Sequence, residues 1–456
     1  MIYKTKPWEH QKRAIEFALD KPSVGIFMEM GTGKTKVAID LLNNRRNKRI
    51  LIVCPKRVLK VWPREFEKHS ANDYNIIPLN KGTGTDKAKL VNQLRMSPQQ
   101  RPLVIITNYD MVWREPLAKE LLKFKFDTII LDESHRIKKP GGKASRFCHR
   151  LGKITPWKMA LTGTPMAHSP LDIYGQYRFL DQSIFGTNFE DFKSQYVKMG
   201  GKDNRIVIKH INQEELHQKM YDIAFRVKTR EVLDLPSFIN DYQEIEFSPA
   251  MMKMYKEFEK ESVVKIEEGV VMSNNVLAQL TRLQQMTSGI TVNRDGEKIR
   301  VNKTKINHLE DMLEDIDVKE PIVIFARFTD DLEAIGKLCE DSGRKYAEVS
   351  GRKDQLSEWQ NGKYDVIGVQ IQAGAEGEDY TRSRYVIYYS LGYSLKDYQQ
   401  SRARVDRPGQ TRNQIFIHII IKGTVDEKVM SALRQNKNVV DYVLDELRKG
   451  QEEKQK

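Results

Sequence analysis

The chain has 456 residues, enough for two or three domains with separate cores, and its 39% hydrophobic and 30% charged residues are those of a soluble globular protein, not a fibrous or disordered one. Lys and Arg total 76 against 62 Asp and Glu, and the net charge of +14 points to a polyanionic partner, nucleic acid first, although many soluble basic proteins bind none. Cys54, Cys148 and Cys339 lie too far apart for a disulfide framework or zinc spacing, and the most apolar stretch, IFIHIII at 415–421, is far too short to cross a bilayer.

In chain order, SVGIFM, RILIVCP, PLVIITNY, DTIILDES and WKMALTGTP are short β-branched runs alternating with helix-like segments. Continuous apolar runs of that length suit strands buried on both faces, so they predict a parallel α/β sheet. From about 175 to 235 the strand signal fades, and EELHQKMYDIAFRVKTREVLDL reads as helix closed by Pro236. A strand-like DYQEIEF follows, then helical stretches around 249–268 and 275–288. After Lys303 the alternation returns with PIVIFARF, YAEVSG, YDVIGVQI, RYVIYYS and IFIHIII. The pattern predicts two α/β lobes separated by a mostly helical insert, with a frayed charged tail, RKGQEEKQK.

Two stretches carry chemistry. FMEMGTGKTKV, 27–37, is a glycine-rich turn between an apolar run and a helix-like run. Backbone N–H groups of such a turn, here Met30, Gly31, Thr32 and Gly33, face a phosphate with the dipole of the new helix behind them. Lys34 would reach the β/γ-phosphates of ATP and the Thr35 hydroxyl would hold Mg²⁺. Met28 stands where the full pattern has glycine, so a turn that merely caps a helix is the competing reading. TIILDESHRIK, 128–138, ends an apolar strand in Asp132-Glu133, at the sheet edge where open α/β folds bind ligands. Asp132 can hold Mg²⁺, and Glu133 can orient or deprotonate an attacking water. Two complementary halves on strand ends favour ATP hydrolysis.

With these motifs in place, nearly the whole chain resembles the Swi/Snf-type ATPases of helicase superfamily two. PWEHQKRAIEFAL is similar to the adenine-reading segment, with Gln11 as its glutamine, and MEMGTGKT to D-E-M-G-x-G-K-T, with Met28 replacing Asp. LIVCPKRVLKVWPREFEK (51–68), ITNYDMV (106–112), DESH (132–135) and LTGTPMAHSPLDIY (161–174) resemble the motifs that follow; Ser134 is a small-for-small change. QAGAEGEDYTRSRYVIYYS (372–390) resembles the fifth motif, departing at Ala375, Glu378 and Asp379, with Gly377 at a nucleotide-binding position. QSRARVDRPGQ (400–410) resembles Q-x-x-x-R-x-x-R-x-G-Q, with Pro408 where Ile is usual.

The resemblance implies two RecA-like lobes: residues 1–235 as an ATP-binding lobe with a helical protrusion, 236–303 as a helical insert belonging to the second lobe, and 304–456 as a C-terminal lobe with arginine fingers and a C-terminal helix. Arg404 and Arg407, three apart, are expected on one face of a helix, reaching the γ-phosphate from across the cleft, with Gln400 preceding them; a solvated basic face is the alternative. Thr162 and Thr164 are expected to couple closure to the site, with His135 bridging to the acidic motif. Lys56, Arg57, Asn108, Lys138 and Lys139 are the expected nucleic-acid contacts, made to phosphates without reading bases. Trp62, Trp157 and Trp359 read mainly as packing residues. The expected protein is an ATP-dependent double-stranded DNA translocase using ATP and Mg²⁺. It is expected to be monomeric, without membrane partner, open to an unidentified protein partner, and cytoplasmic in a bacterium or phage-infected host. A strand-separating DNA or RNA helicase and a non-enzymatic DNA clamp are the rivals.

Overall fold

The structure, a computed structural model, describes residues 1–166, 169–200, 206–232, 236–267, 273–292, 298–373, 378–440 and 442–447. The chain divides into two compact units, Met1–Asp234 and Leu235–Lys456.

The first unit holds a sheet of seven parallel strands: β1 (Ser23–Met28), β2 (Arg49–Cys54), β3 (Asn75–Pro78), β4 (Leu103–Asn108), β5 (Thr128–Asp132), β6 (Trp157–Leu161) and the last, β9 (Ala224–Val227), in spatial order β3-β4-β2-β5-β6-β1-β9. Alternate residues enter different cores. Leu51, Val53, Ile105, Ile129 and Leu131 pack on one face, and Ile50, Ile52, Val104, Ile106 and Ile130 on the other. Because helices cover both faces, each strand is apolar throughout, which made it legible as a short apolar run. Between β6 and β9 lies an antiparallel hairpin of β7 (Val197–Gly200) and β8 (Ile206–His210).

One expectation fails here. The run read as a single helix before Pro236 is the helix Gln213–Tyr221, then β9, then a short turn of helix at Thr229–Val232. Lys, Arg and Glu in that run favour helix by propensity, but the exposed edge of β1 needs partners for its backbone groups. β9 supplies them: Gly25 N–H donates to Ile223 O at 2.8 Å and Glu29 N–H to Val227 O at 2.9 Å.

The second unit holds a six-stranded parallel sheet: β10 (Phe238–Ile245), β13 (Ile322–Ala326), β14 (Tyr346–Val349), β15 (Val366–Gln370), β16 (Tyr385–Tyr388) and β17 (Gln414–Ile421), ordered β10-β17-β16-β13-β15-β14. Between β10 and β13 run the helices Pro249–Glu267 and Ser273–Thr287 and a small antiparallel pair, β11 (Ile290–Val292) and β12 (Lys298–Arg300). The fold is α/β with two RecA-like parallel-sheet lobes and a mostly helical insert. Among the described residues no helix is long and apolar enough to cross a membrane.

Candidate functional site

In the first unit β5, β6 and β1 are neighbours, and each ends on the same carboxyl edge of the sheet. They deliver Asp132–His135, Thr162–Thr164 and Glu29–Thr35 to one place. The turn after β1 is bent by Gly33, at φ +83 and directly over Gln11, where a Cβ would collide with the Gln11 amide nitrogen. Only glycine fits both the left-handed backbone and the close approach. The helix Lys34–Arg45 starts at once, so Lys34 and Thr35 occupy its first turn.

Gln11 is buried and tied to this turn. Its Nε2 donates to Thr32 O at 3.0 Å, its Oε1 accepts from Trp8 N–H at 2.9 Å, and His10 Nε2 lies 2.9 Å from the same Thr32 oxygen. Thr32 Oγ1 and Lys34 Nζ donate to Glu29 O at 2.7 and 3.2 Å. Gly163 of the threonine turn packs against this turn: a Cβ there would stand in ordinary contact, 3.4 Å, from Glu29 Cα.

Asp132, the last residue of β5, is buried and held by two donors, Trp62 Nε1–H at 3.0 Å and the Glu133 N–H at 3.0 Å. Burial, and then the neighbouring Glu133 charge, push its carboxyl up to about 7, with the Lys34 ammonium and the Trp62 donor opposing. The sequence points to Trp62 mainly as a packing residue. Its donor role depends on a partner seventy residues away and has no local signal.

Glu133 sits at φ 53, unusual for a residue with a full side chain, and such strain collects at functional sites. Its Oε2 lies 3.2 Å from His135 Nδ1, which is also 3.1 Å from Thr162 Oγ1. Thr162 Oγ1 in turn accepts from the Thr164 N–H at 3.1 Å. The structure thus brings His135, Thr162 and Thr164 together beside the acidic pair. Ser134 does more than stay small: its hydroxyl donates to Gln176 Oε1 at 2.7 Å, and Gln176 Nε2 donates to Pro165 O at 2.7 Å, joining the two loops from behind.

Asp132 and Thr35 offer oxygen donors suited to Mg²⁺, which takes one or two protein ligands and completes its shell with phosphate and water.

The proposed nucleic-acid residues separate. Lys56 and Arg57 are exposed on the turn Lys56–Lys60 after β2, and Lys139 is exposed beyond β5. Lys138 Nζ is paired with Asp172 Oδ2 at 3.2 Å. Asn108 is buried, and its Oδ1 accepts from the Asp110 and Met111 N–H groups at 3.1 Å each, closing the turn after β4.

In the second unit Gln400 is buried in the helix Leu395–Arg402. Arg404 and Arg407 are not on a helix face as expected; they lie in the turn that follows. A continued helix would bond the Arg404 carbonyl to residue 408, but Pro408 has no N–H. That carbonyl instead accepts from the Tyr380 N–H at 3.0 Å. Arg407 Nη1 donates to Glu378 O at 3.2 Å and stands 3.8 Å from Asp379 Oδ2, so the unusual acidic pair is a neighbour of this arginine. Gly377 and Ala375 lie outside the described residues.

Two α/β units, the first with a glycine-rich turn at its carboxyl sheet edge, make a two-lobed RecA-like architecture. Comparison with known proteins identifies which one: the SNF2-related domain matches residues 10–290 and the helicase conserved C-terminal domain residues 304–409, and the chain belongs to the SNF2-related family. It is 24% identical to p41 of Acyrthosiphon pisum secondary endosymbiont phage 1, over 97% of this chain and 99% of that protein. It is 25% identical to an ATP-dependent helicase of Mycoplasma pneumoniae over 91% of this chain, but spans only 40% of that protein's length. A solved structure, the Sulfolobus solfataricus SWI2/SNF2 ATPase core in complex with dsDNA, matches at 21% identity over 95% of this chain and 91% of that chain, with a TM-score of 0.44.

Proposed function

We propose that the chain is an ATP-hydrolysing motor that translocates along double-stranded DNA. The observation that carries this reading is the meeting of three neighbouring strand ends, which puts Lys34, Asp132-Glu133-His135 and Thr162-Gly163-Thr164 at one sheet edge. Lys34 leaves the Glu29 carbonyl to meet the β/γ-phosphates. Asp132 and Thr35 would hold Mg²⁺, which when bound supplies positive charge against the phosphates. Glu133 orients the attacking water and takes its proton, and the His135–Thr162 contact ties that carboxylate to the threonine turn. Arg404 and Arg407 would stabilise charge on the transferred γ-phosphate. Residues 236–303 belong with the second lobe.

Exposed Lys56, Arg57 and Lys139 follow strands of the same carboxyl edge and suit phosphate contacts that read no bases. The net charge of +14 agrees with a polyanionic track. ATPase rates with duplex DNA, single-stranded DNA, RNA or nothing test the reading. Duplex should stimulate most, and its affinity should fall steeply with salt as counterions are released. Equal stimulation by RNA removes the duplex assignment; no turnover with any of them removes the motor.

A further inference from the structure

Thr229 stands two residues after β9, at the start of the short helix Thr229–Val232 and close to the end of the first unit at Asp234. It makes two bonds to the phosphate loop. Its N–H donates to Glu29 Oε2 at 2.9 Å, and its Oγ1 donates to Met30 O at 2.8 Å. Glu29 is the node of the loop. Its N–H donates to Val227 O at 2.9 Å, and its carbonyl accepts from both Thr32 Oγ1 and Lys34 Nζ. The segment through which the chain leaves the first unit is therefore bonded to the residue that holds the phosphate-binding lysine.

We infer that Thr229 is a positioning residue that couples the end of the first unit to the phosphate loop. The inference rests on the ATP-site reading above. Thr229 touches no reacting atom. It fixes the Met30 carbonyl and the Glu29 carboxylate, and these set where the Glu29 carbonyl and Lys34 ammonium stand. A displacement of the chain beyond Val227 is felt first by these two bonds and so by the loop. Thr229 also lies two residues beyond the pairing of β9 with β1, which ends at Val227, so a purely structural staple is the opposing explanation. The two differ in their readouts, because a staple changes stability alone.

The experiment uses the full chain and measures three quantities on Thr229→Val and Thr229→Ser: the dissociation constant of a fluorescent ATP analogue with Mg²⁺, the ratio of duplex-stimulated to basal turnover, and the melting temperature. Valine keeps the volume and the N–H bond but loses the hydroxyl. The dissociation constant should rise roughly five- to tenfold, the effect of one hydrogen bond, and the stimulation ratio should fall. Serine should restore both. If the valine variant does not fold, Glu29→Gln takes its place, since a neutral acceptor weakens the N–H bond, and it should move the same quantities by roughly twofold. Variants that lower the melting temperature but match the parent in affinity and ratio overturn the inference in favour of the staple. Weakened affinity with an unchanged ratio overturns the coupling. A parent that binds no ATP analogue overturns the functional reading and this inference with it.

Discussion

The two units carry similar sheets but hold their reactive residues by different means. In the first, each residue stands on or next to a strand end and is fixed by hydrogen bonds with side chains of nearby helices: Trp62 donates to Asp132, Ser134 to Gln176, and Gln11 to Thr32. In the second, Arg404 and Arg407 lie in a turn beyond a helix, and Arg407 leans on Glu378 O and Asp379. The Arg407 and Asp379 side chains are 27% and 43% exposed, and an ion pair so open to solvent adds little rigidity. The first edge is held by buried hydrogen bonds, whereas the arginine turn is held by contacts open to solvent.

The largest effects should come from breaking each side of that comparison in turn. Glu133→Gln should retain ATP-analogue binding and lose hydrolysis, because Asp132 and Lys34 are untouched; normal turnover would remove Glu133 as the base. Arg404→Ala and Arg407→Ala should lower turnover roughly a thousandfold, with binding to the phosphate loop preserved. Arg407→Lys should rescue poorly, since a point charge cannot reproduce the planar fork. Parent rates in both alanine variants would show that the second unit does not serve the ATP site.

The buried carboxylate sharpens the description of the first edge. The Asp132 carboxyl is raised from its ordinary 3.8 to about 7, so the folded protein holds this proton more tightly than the unfolded chain. Stability from this group is therefore complete below about pH 4 and is lost as pH rises through 7, by roughly 2–4 kcal/mol. Without nucleotide or Mg²⁺, Asp132→Asn should melt higher than the parent at pH 8, and the gain should shrink toward pH 4. A variant that melts lower at pH 8 would contradict the crowding.

Trp62→Phe comes next in size. It keeps most of the packing and removes one hydrogen bond to a carboxylate, worth about 1.5–3 kcal/mol. Turnover at limiting Mg²⁺ should fall more than turnover at saturating Mg²⁺, and an equal fall in both would leave Trp62 as a packing residue. Ser134→Ala should have the smallest effect, about 1 kcal/mol in thermal unfolding, as the Gln176 link between the two loops is lost. An unchanged melting temperature would show that the link is redundant.

The sequence by itself determined the strands of both sheets wherever they are buried on two faces, because continuous apolar runs are a local signal. It also marked the glycine-rich turn at 27–37 and the DESH and TGTP stretches, which the fold brings to one sheet edge. What only the tertiary structure decided are features fixed by partners distant in the chain. β9 is a strand and not a helix because the edge of β1 needed hydrogen-bond partners. The arginine turn leaves the helix because Pro408 offers no N–H and Tyr380 takes the Arg404 carbonyl. Asn108 folds back to close a turn, Trp62 donates to Asp132, and Thr229 reaches the phosphate loop, and no residue-by-residue preference encodes these pairings. Local propensity is worth tenths of a kcal/mol per residue, while a buried polar group left without a partner costs about 1–3 kcal/mol. Where the two conflict, the long-range hydrogen bond decides.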